Sequence, residues 1–322
     1  MSDPCAHPVD HRRILFPAKD YITGDGFEIV RCRECGAVMT RPLPSTGELG
    51  RYYPKVYYRT SDGRRFPGVV EWLQRCLYAG RARKVERLIG GRRGRVLDVG
   101  CGPGWLLKAF ERRGWETKGT ELSGEAAAFA REELGLDVAS QELSELNIPG
   151  GCYDAAVLWH VLEHVPEPQA VLCEVSRVLK PGGALLLGVP NWGSPESQST
   201  GPAWFQLDVP RHVNHFTAAR MEEALEEAGL FIRKRQFLAP EFDFFSFVQS
   251  ALNQLGLPHN LLYTMLRRGN VDANQRDGAK WWQKAITVIL TPILGLLAAP
   301  LVLLAAGLQE GGSMTFYAVK RK

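Results

Sequence analysis

The stretch "WHVLEHVPEP", from Trp159 to Pro168, holds His160, Glu163 and His164 in the spacing H-x-x-E-H. Two imidazoles one helical turn apart, beside a carboxylate, can hold a hydrolytic zinc ion. That use needs one continuous helix carrying both ligands on one face. Pro166 and Pro168 follow at once and break such a helix, so hydrolysis is the weaker reading. Three other constellations carry chemistry. Gly100, Gly102 and Gly104 punctuate "VLDVGCGPG", with Asp98 before them and Glu121 standing 23 residues after that aspartate. Cys32-x-x-Cys35-Gly36, with Cys5 and either His7 or His11, offers thiolate and imidazole donors for a closed zinc site. Asp208, Arg211, His212 and His215 gather in the segment "WFQLDVPRHVNHF".

The elements that must position these residues follow an alternating rhythm. From Val96 onward, short apolar runs alternate with helical patterns, the signature of a parallel sheet covered by helices. "RVLDVG", "WETKGTEL", "DAAVLW" and "GALLLGVP" read as strands, the last following the turn "KPGG". "WLLKAFERRG", "GEAAAFAREELG" and "PQAVLCEVSRVLK" read as the helices between them. "TAARMEEALEEAG" is a helix with Thr217 as its N-cap and Gly229 just past its end. "FIRKRQFL" and the final "SMTFYAVKRK" read as strands. The fold class is therefore α/β, with a Rossmann-like sheet. The glycine turn then lies between a strand and a helix N-terminus, where backbone approaches a ligand closely and free N–H groups can bind it. Glu121 ends the second strand, placed to grip ribose hydroxyls.

On these motifs the chain resembles the class I S-adenosylmethionine-dependent methyltransferases. "VLDVGCGPG" looks like their first motif, "GTEL" their second, "YDAAVLWHVLEHV" their fourth-strand region and "LKPGGALLLGVPN" their fifth. The resemblance covers residues 94–238 and the last strand. It implies a cofactor site of Asp98, Gly100, Cys101, Gly102 and Gly104, with Glu121 and Leu122 at the ribose and Trp159 and His160 on the wall. A dinucleotide dehydrogenase is the structural alternative, but the third glycine comes too early for G-x-G-x-x-G. "WHVLEHVPEP" also resembles the ubiquinone-pathway O-methyltransferases, in which an acidic/His cluster here is associated with a divalent ion. Those enzymes carry Glu where this chain has His160. Glu163 and His164 either share that role or hydrogen-bond the loops around the cofactor.

Residues 1–60 resemble the N-terminal zinc-ribbon module of methyltransferases of glycan and sugar biosynthesis, with "RPLPSTGELGRYYPKVYY" matching its tail. The first cysteine pair departs from that module, because Pro8 stands where its second cysteine would be. The resemblance implies zinc on Cys5, His7, Cys32 and Cys35. "WFQLDVPRHVNHF" resembles a segment of the same enzymes, in a loop long enough to be functional. Methyl transfer to oxygen needs a base, and imidazole suits neutral pH. His212 and His215 are the candidates, with Asp208 orienting and Arg211 anchoring a phosphate or carboxylate. The alternative is that both histidines pin the loop onto the Thr217 helix.

Composition is that of a globular chain of 322 residues, 45% hydrophobic and 23% charged. The net charge of +4 is uneven: residues 1–95 hold 19 Lys/Arg against 10 Asp/Glu, and the rest 20 against 25. A basic first third suits phosphates or an anionic membrane surface. "MSDPCAHPVDHRR" shows no apolar run of a secretory signal, and an odd seven cysteines point to a reducing compartment. Ala285–Leu308 runs 24 residues without a charge. As one helix it would be about 36 Å long, against a bilayer core of about 30 Å. The last strand must return to the sheet, so a re-entrant hairpin broken at Pro292, Gly295 and Pro300 is expected. A dimerisation element, a cap folded on the protein, or a single span are the alternatives. Phe244, Phe245, Val248, Leu252 and Leu255 form a stripe expected to lie flat on the membrane.

The expected division is a zinc-ribbon-like module at 1–60, a basic amphipathic linker helix at 61–95, a cofactor-binding core at 96–239, an apolar insertion at 240–312 and a last strand at 313–322. The expected function is O-methylation of a lipid-linked or free sugar, by an enzyme associated with the cytoplasmic face of a membrane. A polyprenylated aromatic acceptor is the alternative. A non-catalytic binding subunit is a third, opposed by intact Gly100, Gly102, Gly104 and Glu121. The expected partners are an amphiphilic substrate and a membrane surface, with no nucleic acid; the oligomeric state stays open.

Overall fold

A computed structural model describes residues 5, 7–45, 48, 51–53, 68–266 and 278–321. Much of the expected tyrosine-rich tail, residues 46–47, 49–50 and 54–58, lies outside them, as do residues 61–67 of the expected linker. The apolar runs form strands β4 (Arg95–Val99), β5 (Glu116–Thr120), β6 (Val138–Ala139), β7 (Tyr153–Trp159), β8 (Leu179–Pro190), β10 (Leu230–Gln236) and β11 (Ser313–Lys320). They make one sheet in the order β10-β11-β8-β7-β4-β5-β6. Strands β4 to β8 run parallel, while β11 is antiparallel to β8 and β10. The last strand and the other core strands are thus where the sequence put them, the two-residue β6 excepted.

Alternation along these strands feeds two cores, because successive side chains point to opposite faces. Leu97, Ala156, Leu158, Leu185 and Leu187 meet helices α4 (Pro168–Val178) and α6 (Ala218–Glu227). Val96, Ala155, Val157, Ala184 and Leu186 meet α1 (Gly68–Leu88), α2 (Trp105–Glu111) and α3 (Gly124–Glu132). Helix α1 is therefore a layer of the core through Ala82 and Val85, rather than a linker. Ser123 caps α3 and Thr217 caps α6, each side chain accepting from an amide three residues on.

The N-terminal strands β1 (Arg12–Lys19), β2 (Gly26–Cys32) and β3 (Val38–Arg41) form an antiparallel meander. Its fourth strand is borrowed: β9 (Asn214–His215) leaves the long loop after β8, beyond the short α5 (Pro195–Thr200), and pairs with β3. The Cys/His region is thus welded to the loop over the core.

The expected hairpin does not form. Trp281–Gly307 is a single helix, α9, running through Pro292 and Pro300. Both prolines are exposed; each lacks the N–H that would bond the carbonyl four residues back, and the helix continues through them. Leu290, Leu294 and Ala298 are held from the other side by Val248 and Leu252 of α7 (Pro240–Gln254) and Leu262 of α8 (Leu261–Leu266). One helix running the full way back to β11 returns the chain without a reversal. The α7 stripe expected on the membrane is in part covered by α9, though Leu255 stays exposed.

Candidate active site

The loop after β4 is shaped by three glycines with positive φ, at +66°, +55° and +83° for Gly100, Gly102 and Gly104. A Cβ on Gly100 would stand 2.7 Å from Val161, and one on Gly104 2.7 Å from Leu136. Glu121 clamps this loop: Oε2 accepts from the Gly102 amide at 2.8 Å and Oε1 from the Ser123 amide at 2.7 Å. Asp98 lies beneath, 1% exposed, and burial together with the Glu121 charge raises its carboxyl well above the ordinary range. A cavity of about 60 Å³ opens beside it, lined by Tyr78, Trp105 and Trp159. Cys101 shares that wall; burial raises its thiol pKa, so it is no thiolate nucleophile. Leu122 sits exposed on the rim, and Gly104 packs behind the wall.

This pocket opens into a cleft of about 1810 Å³ that also reaches His160, Glu163, His164, Asp208 and His212. It ends in an aromatic lobe where Phe205, Phe245 and Tyr263 pack ring to ring at 5.2–6.2 Å. His160 closes β7 with a φ of +55°, which non-glycine residues adopt only when their surroundings hold them there. Its Nδ1 lies 3.0 Å from Glu163 Oε1, and its ring lies 4.3 Å from that of Phe242. Its Nε2 and the second oxygen of Glu163 are buried with no partner among the described residues. Burial opposes ionisation of Glu163, but the His160 hydrogen bond and the neighbouring histidines outweigh it and hold the carboxyl down to about 2.

His164 donates Nδ1–H to the Arg211 carbonyl at 2.9 Å, and His212 donates Nδ1–H to the Gln206 carbonyl at 2.7 Å. Each therefore keeps Nε2 as an acceptor. Glu163, His164 and His212 bring one donor atom each to within 4.8 Å of one another. An orphaned carboxylate oxygen and two imidazoles with fixed tautomers fit a divalent cation. Burial, then His164, lowers the His212 pKa to about 4, which keeps that imidazole neutral.

The remaining loop residues separate. His215 is buried on β9, 3.0 Å from Thr40 Oγ1, with its ring 5.4 Å from Trp192; it does not line the cleft. Strand pairing has turned it toward the N-terminal sheet, so its expected role as a base is not supported by its position. Arg211 is likewise engaged: its guanidinium, fully buried, pairs with Asp20 at 2.8 Å and Asp208 at 2.7 Å and donates to the Tyr52 carbonyl at 3.0 Å. The expected anion anchor is a tie between the N-terminal strands and this loop, and Asp208 orients Arg211 rather than a histidine.

Three residues had no signal in the sequence. Arg81 of α1 pairs with Glu241 of α7 at 2.6 Å and lies 3.9 Å over the Trp159 ring, fixing that wall of the cofactor pocket; the Phe242 ring packs tilted against that of His160. At the far end of the N-terminal sheet, Cys5, His7, Cys32 and Cys35 bring their donors within 4.8 Å of one another. His11 pairs instead with Glu34 at 3.3 Å, which decides between the two histidines left open above.

A family of methyltransferase domains matches residues 71–234. The chain belongs to that family. It is an S-adenosylmethionine-dependent methyltransferase, the class expected from the motifs. Among curated proteins, the ubiquinone biosynthesis O-methyltransferase of Xanthomonas oryzae pv. oryzae is 37% identical over 131 residues, covering 38% of this chain and 54% of that protein. That of Aeromonas salmonicida is 30% identical over 152 residues, covering 43% and 63%. The chain thus spans about half the length of the curated relatives it matches. Among solved structures, a methyltransferase from Galdieria sulphuraria superposes with a TM-score of 0.50 at 15% identity, covering 80% of this chain and 91% of that one. A SAM-dependent methyltransferase from Archaeoglobus fulgidus gives 0.47 at 19%, covering 76% and 94%.

Proposed function

We propose that this methyltransferase moves the methyl group of S-adenosylmethionine to a hydroxyl of an uncharged amphiphilic acceptor, of the prenylated-aromatic type, at a membrane face. One observation carries the reading: the cofactor pocket and the aromatic lobe are ends of one cleft whose cations are already engaged. Among the described residues of its wall, Arg75 lies 3.8 Å over Trp105, and Arg211 is sealed in its ion pairs. Apart from the divalent cation considered below, the described residues of that wall leave no unengaged cation for a phosphate, which weighs against the lipid-linked sugar expected first. The resemblance to ubiquinone biosynthesis O-methyltransferases points the same way.

In this reading the hydroxyl oxygen attacks the sulfonium methyl carbon, the C–S bond breaks, and the hydroxyl proton goes to His160 Nε2. Glu163 Oε1 holds the opposite ring nitrogen, the arrangement by which a carboxylate fixes tautomer and direction of a basic imidazole. His212, depressed to about 4, is a poor match for a phenolic proton and a better neutral donor. Glu163 Oε2, His164 and His212 would hold a divalent cation, which would supply a Lewis acid for the acceptor oxygen. The Cys5, His7, Cys32 and Cys35 set is read as structural zinc: Cys5 and Cys35 sulfurs lie 3.6 Å apart, and tetrahedral zinc with 2.3 Å bonds sets neighbouring sulfurs about 3.8 Å apart. Methyl-labelled S-adenosylmethionine, incubated with the protein and either a prenylated catechol or a polyprenyl-diphosphate sugar, tests the reading. Label in the catechol supports it; label in the sugar lipid alone sinks it.

A further inference from the structure

Helix α9 carries a surface that the catalytic reading does not use. Its buried stripe is narrow: Thr287, Ala298 and Val302 face the protein, with Leu294 packed beside them. Val288, Ile293, Leu296, Leu297, Leu301 and Leu303 face outward, Leu296 being 80% exposed. At 3.6 residues per turn these outward positions sweep roughly 220° of the circumference. A second helix packed on α9 covers one stripe of such a surface and leaves the rest in water. Lipid covers all of it. Trp281 and Trp282, both exposed, stand at the N-terminal end beside Lys280 and Lys284, the residue types that settle at a membrane–water boundary.

Crossing the bilayer is opposed by what lies on the inner stripe. Helix α7 lies against α9 and carries Ser246, Gln249, Ser250 and Asn253, all buried and hydrogen-bonded toward the loop after β8 and α8. Standing α9 upright in hydrocarbon would take that polar layer with it, a cost that helices spanning a membrane avoid. Lying flat, α9 sinks its outer arc into one leaflet while α7 and α8 stay above. The same α7 and α8 are the wall of the aromatic lobe: Phe245 faces both the lobe and α9, and Leu266, 42% exposed, lines the cleft.

We infer that α9 is an in-plane lipid anchor, docked along its length in one leaflet, and that it sets the aromatic end of the cleft at the lipid surface so that the acceptor enters sideways from the bilayer. The docking stands on the helix alone; the sideways entry rests on the acceptor proposed above.

The test uses the full chain and sealed vesicles of phosphatidylcholine and phosphatidylglycerol, carrying trace lipids with a photoreactive group either near the glycerol or at the acyl end. The expected result is flotation with the vesicles and labelling from the shallow probe along the whole of residues 281–308. Leu296→Glu with Leu303→Glu, both on the exposed face, should cut flotation at least tenfold while S-adenosylmethionine binding is kept. Labelling of only the middle of the helix, by the deep probe, would show a span and overturn the anchor. So would absence of flotation by protein that binds the cofactor, including a stable dimer with α9 shielded from both probes. Sideways entry predicts that a prenylated catechol in the same vesicles is methylated at least tenfold more slowly by the double variant, while a short-chain soluble catechol is methylated equally. Equal loss on both acceptors overturns the entry route and leaves the docking result intact. Turnover of neither acceptor by the unaltered protein would refute the acceptor class and the route with it, with flotation still reporting on the anchor.

Discussion

His160 Nδ1 and Glu163 Oε1 lie 3.0 Å apart, and the other polar atom of each side chain, Nε2 and Oε2, is buried without a partner among the described residues. One pair of atoms is thus spent on mutual orientation, and the other pair is directed elsewhere. Removing the imidazole by His160→Ala should lower kcat by about 10²-fold or more. Affinity for S-adenosylmethionine, measured by calorimetry, should change little, and Glu163→Gln should lower kcat without unfolding the protein. A variant that loses cofactor affinity and keeps kcat would return His160 to a lining role.

Glu121 accepts one hydrogen bond from the glycine loop, at the Gly102 amide at 2.8 Å, and one from the Ser123 amide at the head of α3, at 2.7 Å. Glu121→Ala removes the clamp and the proposed ribose contact together. Hydrogen bonds to a charged group contribute about 1.5–3 kcal/mol each, so cofactor affinity should fall at least tenfold. Gly100→Ala should lower it as well, since a Cβ there meets Val161 at 2.7 Å in a backbone with φ of +66°. Titration calorimetry reads both.

The Arg211–Asp20 pair is buried on both sides. Arg211→Ala leaves Asp20 charged and sealed, a loss of about 3–5 kcal/mol in systems of this kind. Urea unfolding should show that loss, and proteolysis should open the N-terminal strands first. An unchanged midpoint would mean that the tie contributes nothing.

Glu196 of α5 and Asp243 of α7 converge at Gly312, where a Cβ would meet one oxygen of each, at 3.0 and 3.4 Å. Burial raises Glu196 to about 7 and Asp243 to about 6, with each carboxyl's neighbour, Asp243 for the first and Glu241 for the second, pushing the same way. Ser246 and Ser250 donate to Glu196 and only partly offset this. Both groups bind protons more tightly folded than unfolded, so stability is greatest below their ordinary values near 4 and falls as pH rises to about 7. Glu196→Gln should stabilise the protein at pH 8 by roughly 2 kcal/mol and do little at pH 4.5. Thermal melts at the two pH values check this; equal shifts would contradict it.

Cys5, His7, Cys32 and Cys35 converge from a chain end and the β2–β3 turn. Metal analysis should find one zinc per chain, lost in Cys32→Ser with Cys35→Ser. A protein with under a tenth of an equivalent, folded to the same midpoint, would leave these as plain thiols.

The glycine loop, Asp98 and Glu121 were readable in the sequence because a strand, a turn, a helix and a second strand follow one another without interruption, and each announces itself by its own period. Thr217 as a cap is equally local. The loop histidines were not separable by the same means: His212 and His215 are three residues apart, and only the pairing of β9 with β3 turns one from the cleft and leaves the other on it. Arg211 looked available for an anion until Asp20, nearly two hundred residues away, closed over it.

The sequence by itself determined the alternating sheet, the cofactor loop and the uncharged length of residues 285–308, since each depends on residue types close together along the chain. Tertiary structure alone decided that this length is one helix laid on α7 and not a hairpin, that Arg81 braces Trp159, and that His160 and Glu163 face the cleft together. Those outcomes depend on which surfaces meet when distant segments pack, and no period along the chain records such a meeting.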